Sequence, residues 1–290
     1  MTTIVIPAHN EGLVIGRLLG RLGTEESASG LTVIVVANGC SDNTIEVASS
    51  FGPGVKVVSI PQASKHLALM AGDREASDFP RIYVDADVEL GLADVRALEA
   101  ELAQPGVLAA APERALAFDG CPWSVRWYYD IWLRLPQVRQ GLFARGVIAV
   151  TKEGHGRLAA LPPLMADDLA ASLSFAAAER RIVANASAVC HAPKRTRDLL
   201  RRRIRAVTSV TQVERTEQAP ESTARTSLAD VMAILRRNPA TAPRLALFAA
   251  VTITAKLAAR RAIARGDYST WLRDDSSRGA SASWPGSQAT

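Results

Sequence analysis

Two aspartates set two apart, Asp85 and Asp87 in "RIYVDADVEL", follow a run of residues suited to a buried strand. If the strand persists through them they point to one side of the sheet, because side chains alternate along a strand. Carboxylates so placed repel each other unless a cation lies between them. Hard oxygen ligands suit Mg2+ or Mn2+, and an ion held there would hold a diphosphate in turn. The competing reading makes Asp87 a helix cap and Asp85 a solvated side chain. A second acidic pair, Asp167 and Asp168 in "LMADDLAASL", falls at a helix start, where the macrodipole favours negative charge. Capping accounts for one carboxylate, and the other is available as a general base.

Three further segments carry chemistry. "IVIPAHNEG" (4–12) runs a strand into a helix, so His9, Asn10 and Glu11 sit on a loop at the carboxyl edge of the sheet. Open α/β sheets bind ligands at that edge. An ordinary turn with Asn10 as N-cap accounts for the same residues. "VIVVANGCSDNT" (33–44) offers Asn38 and Asp42 to a base or ribose, or else plain turn chemistry. In "HAPKRTRDLLRRRIR" (191–205), Arg201 and Arg205 share a helical face able to hold a diphosphate or an anionic acceptor. A solvated charge run or a membrane-surface patch fits too. His191 suits a ligand role and a structural one equally.

These loops need elements to position them. β-Branched runs at 4–6, 32–36, 55–60, 81–84 and 107–111 read as strands buried on both faces. Helical spacing fills the intervals at 11–21, 41–50, 64–76 and 92–103. Such alternation indicates a parallel α/β sheet. Beyond residue 112 the alternation breaks into an aromatic cluster, Trp123 to Trp132, expected as core with Trp123 a candidate to stack on a sugar. A strand at 146–151, a helix from 168 to 180, a strand at 181–186 and a basic helix at 195–215 follow. Residues 216–227 read as a linker or loop, 228–238 and 242–265 as helices, and 274–290 as a disordered tail.

Of the 290 residues, 48% are hydrophobic and 22% charged, which excludes collagen and a wholly disordered chain. Three separated cysteines without a CxxC support neither a disulfide frame nor a structural zinc site. The formal charge of +5 permits contact with phosphates or anionic lipid. No basic flank or long apolar run marks a targeting signal at the start. The apolar window 245–259 is about five residues short of a spanning helix. A cytoplasmic protein is expected, with contact at the inner face of the membrane left open.

The order "PAHNE", "NGCSDNT", "SKHLALMAG", "DAD", "DDL" and an Arg-rich helix, all between residue 3 and about 206, resembles the family 2 glycosyltransferases. The resemblance implies an α/β GT-A fold, Rossmann-like, with a mostly parallel sheet flanked by helices and, here, a C-terminal helical extension. It divides the chain into a transferase domain at 1–215 and an extension at 228–273. It also implies inverting transfer of a sugar from a nucleotide-sugar donor to an acceptor hydroxyl, with Mn2+ or Mg2+ as cofactor. By position, Pro7, Ala8 and Glu11 match the opening nucleotide loop, and Lys65 a segment near the nucleotide. Asp85 and Asp87 match the DxD that binds ribose and metal-diphosphate, with His191 a further metal candidate. Asp167-Asp168 looks like the family's "ED" pair, which makes Asp168 the base. Arg202 and Arg205 resemble the (Q/R)xxR part of "QxxRW".

The departures from that pattern matter. Ala37 and Asn38 stand where the family has two aspartates, so the donor is open among UDP, GDP and dTDP sugars. An Asn can still bond a pyrimidine edge, since its amide both donates and accepts. Ala206 replaces the Trp that serves processive synthases. The acceptor is a glycan, a lipid-linked carrier or a small molecule, and no nucleic acid is expected. The oligomeric state is open. Two other readings are a sugar-1-phosphate nucleotidyltransferase and a non-catalytic basic membrane-binding module. The first needs a Gly-rich, Arg/Lys-bearing loop where Pro7 to Asn10 offers none, and the second leaves three acidic motifs unexplained.

Overall fold

The computed structural model describes residues 1–23, 30–161, 167–215 and 227–264. The first half runs β1 (Thr2–Ala8), α1 (Ile15–Leu22), β2 (Leu31–Asn38), α2 (Thr44–Ser49), β3 (Val55–Ile60) and α3 (Lys65–Glu75). It continues with β4 (Arg81–Val84), β5 (Val88–Glu89), α4 (Leu92–Leu102) and β6 (Ala109–Ala117). Next come α5 (Trp123–Trp132), α6 (Pro136–Gln140), β7 (Val147–Val150), α7 (Lys152–Ala159), α8 (Asp167–Leu173) and β8 (Arg180–His191). Three helices close the described chain: α9 (Thr196–Arg215), α10 (Leu228–Arg237) and α11 (Ala242–Ala264). The expected linker at 216–227 lies almost wholly, and the tail at 274–290 entirely, outside the described residues.

The strands form one sheet in the order β3-β2-β1-β4-β7-β6-β8-β5. β1 is central and buried along its whole length, as its Ile-Val-Ile centre requires of a strand covered on both faces. β2 and β4 flank β1 in parallel, and β3 adds to β2 in parallel. Past β4 the sheet becomes mixed. β7 runs antiparallel to both β4 and β6, β8 returns parallel to β6, and β5 lies antiparallel on β8. The strand expected at 107–111 continues to Ala117 because β8 runs beside it to His191, past a register shift at Pro112/Glu113. The helix expected at 168–180 stops at Leu173, and Phe175 turns into the core at 3% exposure.

Helix α3 rides close on the sheet. A side-chain carbon at Gly72 would collide with Val5 and come within 3.3 Å of Val36. Its far end is tied down by polar contacts, since Asp73 Oδ1 accepts from Arg81 at 2.9 Å and from the Tyr83 hydroxyl at 2.8 Å. Tyr83 also bonds His155 of α7 at 2.9 Å. Burial, together with Asp73, pushes the Tyr83 phenol far up, so it stays protonated.

A second core lies beyond the sheet. Tyr128, Tyr129 and Trp132 of α5 pack with Leu199 of α9, Ile234 of α10, and Leu245 and Phe248 of α11. The aromatic cluster is therefore mainly core, with Tyr128 and Phe248 stacked at 5.0 Å, while Trp123 stays 62% exposed. The helices α10 and α11 share this core with α5 and α9. The apolar stretch is longer than its sequence window suggests. With the preceding turn it is helical over Pro239–Arg261, 23 residues, long and apolar enough to cross a membrane by length and composition alone.

The tight seat of α3 gives a stability test. Gly72→Val should lower unfolding free energy by about 1–3 kcal/mol, the usual cost of overpacking, as read from urea denaturation.

Candidate functional site

Parallel pairing brings the ends of β1 and β2 level, with Ala8 opposite Ala37. The next residue on β2, Asn38, is only 3% exposed, and its Nδ2 donates to the Ala8 carbonyl at 2.8 Å. His9 Nδ1 bonds the Asn38 carbonyl at 2.6 Å. Asn10 adopts a positive φ of 52°, a conformation Asn tolerates better than most residues. Its Oδ1 accepts from the Ser41 amide at 2.8 Å. Asn10 thus staples two loops together and does not cap a helix, since α1 begins only at Ile15.

Asp42 fastens the same loop pair. It accepts from the Gly12 amide at 3.0 Å and from the Thr44 amide at 3.1 Å, while the Thr44 hydroxyl accepts from the Glu11 amide at 2.8 Å. Burial raises the Asp42 carboxyl, but hydrogen bonds from Thr44 and Gly12 outweigh it and hold the group below the usual carboxylate range. Asp42 serves the turn, one of the two roles its sequence context allows. Glu11, 8% exposed, sits beside it at the start of the α1 approach. Pro7 and Ala8 complete the carboxyl end of β1.

Next to this floor, Lys65 at the first turn of α3 meets Asp85 beyond β4, with Nζ to Oδ1 at 2.8 Å. Both side chains are part-exposed, 34% and 41%. Gly146, at φ 66°, lets the strand leading into β7 approach the acidic turn: its carbonyl accepts from the Asp85 amide at 2.8 Å. Asp87 lies two residues on, before β5. Cys190 of β8 pairs with Val88 of β5, and its thiol donates to the Arg145 carbonyl at 3.5 Å. Burial pushes the thiol up to about 12, with Arg114 and Arg202 opposing the shift and Asp87 and Asp85 adding to it. Arg202 also reaches the His191 carbonyl at 3.4 Å, and Arg205 lies one turn further along α9.

His191 is engaged elsewhere than at the carboxylate pair. Its Nε2 meets Glu89 Oε1 at 2.6 Å, with Arg17 at 3.3 Å, and Glu89 also takes Arg21 at 2.9 Å. This contact is of the structural kind, one of the two roles the sequence context of His191 allows. Asp167 and Asp168 occupy the first two positions of α8, and their side chains lie outside the described residues. Ser172 holds α8 in place, accepting from the Leu142 amide at 3.0 Å, and α8 packs against α9.

Asp85 and Asp87 supply oxygen donors only, and no group of three metal-ligating side chains gathers among the described residues. That set fits an ion such as Mg2+ or Mn2+, which keeps waters and takes the rest of its shell from substrate phosphates. Sequence reasoning missed Arg114, whose guanidinium stacks over Trp132 at 4.6 Å and donates to the Ala144 and Phe143 carbonyls at 2.6 and 2.8 Å. It missed Glu89 and Gly146 as well. Of these only Gly146, a glycine directly ahead of a strand, carries a visible signal.

Comparison with known proteins agrees with this architecture. The description "Glycosyl transferase family 2" matches residues 3–151, more than half of the 290. The fold is similar to that of the mannosyltransferase PcManGT from Pyrobaculum calidifontis, solved with GDP-Man and Mn2+. That match has a TM-score of 0.60 at 22% identity over 91% of this chain and 79% of the other. Glucosyl-3-phosphoglycerate synthase from Mycobacterium tuberculosis, with Mn2+, UDP and glucosyl-3-phosphoglycerate, gives 0.51 at 20% identity over 77% and 81%. S. aureus TarS 1-349 gives 0.50 at 12% over 92% of each chain. At these identities the likeness is one of fold. None of the curated proteins compared matches the sequence.

The buried amide of Asn38 can be tested directly. Asn38→Asp places an acceptor against the Ala8 carbonyl and buries a charge, at an expected cost of about 1–3 kcal/mol at neutral pH. Burial would raise the folded-state pKa of that new carboxyl, so its penalty is absent below the unfolded pKa and grows as pH rises through that range. Urea midpoints of wild type and variant should converge on acidification.

Proposed function

From a chain that belongs to glycosyl transferase family 2, and so is a glycosyltransferase, we propose an inverting transfer from a nucleotide-sugar donor to an acceptor hydroxyl. The observation that carries this reading is the Lys65 to Asp85 ion pair at 2.8 Å beyond β4, with Asp87 two residues on and the Asn38 floor beside it. An acidic pair flanked by cationic side chains at the carboxyl edge of a sheet suits a metal-bound diphosphate and the charge that grows as it leaves.

In the proposed reaction the donor nucleotide lies over the floor made by Pro7, Ala8, Glu11 and Asn38. Asp85 faces the ribose, and Asp87 with Asp85 would hold Mn2+ or Mg2+, whose chemistry here is to offset the charge of the diphosphate. Asp168 takes the proton from the acceptor hydroxyl. The resulting oxygen bonds to the anomeric carbon from the face opposite the leaving group, and the bond from that carbon to the phosphate oxygen breaks. Arg202 and Arg205 face the departing nucleoside diphosphate, where guanidinium groups give charge-assisted hydrogen bonds. The mannosyltransferase and the synthase of similar fold were solved with GDP-Man and with UDP respectively. A buried Asn in place of a carboxylate is compatible with either, so the donor is read by experiment.

Family membership removes the non-catalytic reading. The nucleotidyltransferase reading is disfavoured at the end of β1, where Pro7 to Asn10 offer no Gly-rich, Arg- or Lys-bearing stretch.

Screening UDP, GDP and dTDP sugars for Mn2+-dependent hydrolysis identifies the donor, and silence across all of them would sink the reading. With that donor, Asp168→Asn should reduce turnover by about 10²–10⁴-fold, the range of general-base contributions, with donor affinity nearly unchanged. Near-normal turnover would remove Asp168 from the base role. Asp87→Asn should instead abolish the Mn2+ dependence of nucleotide binding in calorimetry.

A further inference from the structure

Helix α11 is apolar nearly all round, yet only 22% of its apolar window is buried. A helix with apolar residues on every side belongs in a core or against lipid, whereas a solvated helix shows a polar outer face. One side of α11 is buried: Leu245 and Phe248 fill the second core, and Ala255 and Ala259 lie fully covered further along. The other side exposes Ala246, Ala249, Ala250, Ile253 and Leu257, with Ile253 58% and Leu257 50% exposed. Their helical spacing makes one continuous stripe opposite the buried one. Arg260 and Arg261 end it, both exposed.

Helix α10 repeats the pattern. Ile234 points into the same core while Leu228, 84% exposed, and Met232, 41% exposed, face outward ahead of exposed Arg236 and Arg237. Over residues 228–264 the sequence holds six basic residues (Arg236, Arg237, Arg244, Lys256, Arg260, Arg261) against one acidic, Asp230. Nearby, exposed Trp123 rests edge-on against Trp127 at 4.9 Å, and Arg244 of α11 lies over Trp127 at 6.0 Å. Exposed tryptophan beside arginine suits the headgroup layer, where one end of the ring is apolar and the other wet.

We propose that the outward faces of α10 and α11 form a platform that lies in the headgroup region of a bilayer containing anionic lipid. Ile253, Leu257, Leu228 and Met232 enter the acyl boundary, and the arginines pair with lipid phosphates. α11 does not span. Inserting it would withdraw Phe248 from Tyr128 and break the Arg244 to Asp130 ion pair at 2.8 Å. A second copy is the poorer occupant, because a two-fold contact would press two cationic faces together. The proposal does not depend on which sugar is transferred.

The test is co-sedimentation of the full chain with vesicles of phosphatidylcholine alone and with added phosphatidylglycerol. Pelleting is expected only with the anionic vesicles, and it should be released by high salt. Ile253→Glu with Leu257→Glu, and separately Leu228→Glu with Met232→Glu, should each weaken binding about tenfold or more. Arg236→Gln with Arg237→Gln should do the same. In each variant circular dichroism and donor hydrolysis should stay at wild-type values. Retained binding in all three variants, or no binding by the wild type, overturns the proposal. So would resistance to salt and alkaline extraction, the behaviour of a spanning helix, or a dimer in sedimentation velocity that these substitutions dissociate.

Discussion

Everything at the candidate site depends on two parallel strands ending level and being held there. The Ala8 to Ala37 register brings two loops to one edge, and the Asn38 amide closes the gap between them from a buried position. A carboxylate there could not donate to the Ala8 carbonyl without first gaining a proton. Asn38 thus adds a structural bond at a place proposed to lie under the donor nucleotide. With its donor group on Ala8, Asn38 retains its side-chain carbonyl as the remaining polar function for a ligand.

The second organising contact is Glu89. Its carboxylate gathers Arg17 and Arg21 from α1 and His191 from the end of β8. Those partners follow or precede the segments proposed to bind the donor: the loop before α1, the acidic turn before β5 and the arginines of α9. One side chain at 13% exposure therefore ties three parts of the chain that are remote in sequence. Because the group is largely buried, removing Glu89 would strand cationic partners, and loss of such a partner costs more than a surface ion pair contributes.

Periodicity reads the first half of the fold well. β3 and β4 match their expected limits to the residue, since β-branched runs bounded by polar residues have few other uses. The second half is less legible. β7 and β8 reach their places through pairings set by tertiary contact, and nothing in the local pattern of Arg180 to His191 announces a strand of twelve residues. Side-chain type also misleads. Arg145 looks like a surface residue in sequence, yet it is 1% exposed and donates to the Gly141, Pro112 and Arg139 carbonyls. His191 has a ligand's chemistry, but its bond to Glu89 spans 102 residues, a separation at which spacing carries no information.

The acidic pair itself presents an electrostatic choice. Without a cation between them, Asp85 and Asp87 would repel, and Lys65 supplies positive charge to Asp85 at 2.8 Å. That bridge is solvated on both sides, so its net worth is about 0.2–1 kcal/mol. A contact so weak is easily exchanged. In the proposed site a divalent ion, with twice the charge of an ammonium and room for several oxygens, would compete with Lys65 for the carboxylate. The released ammonium would remain at the first turn of α3, where the helix dipole already favours negative charge and a phosphate is the natural next partner.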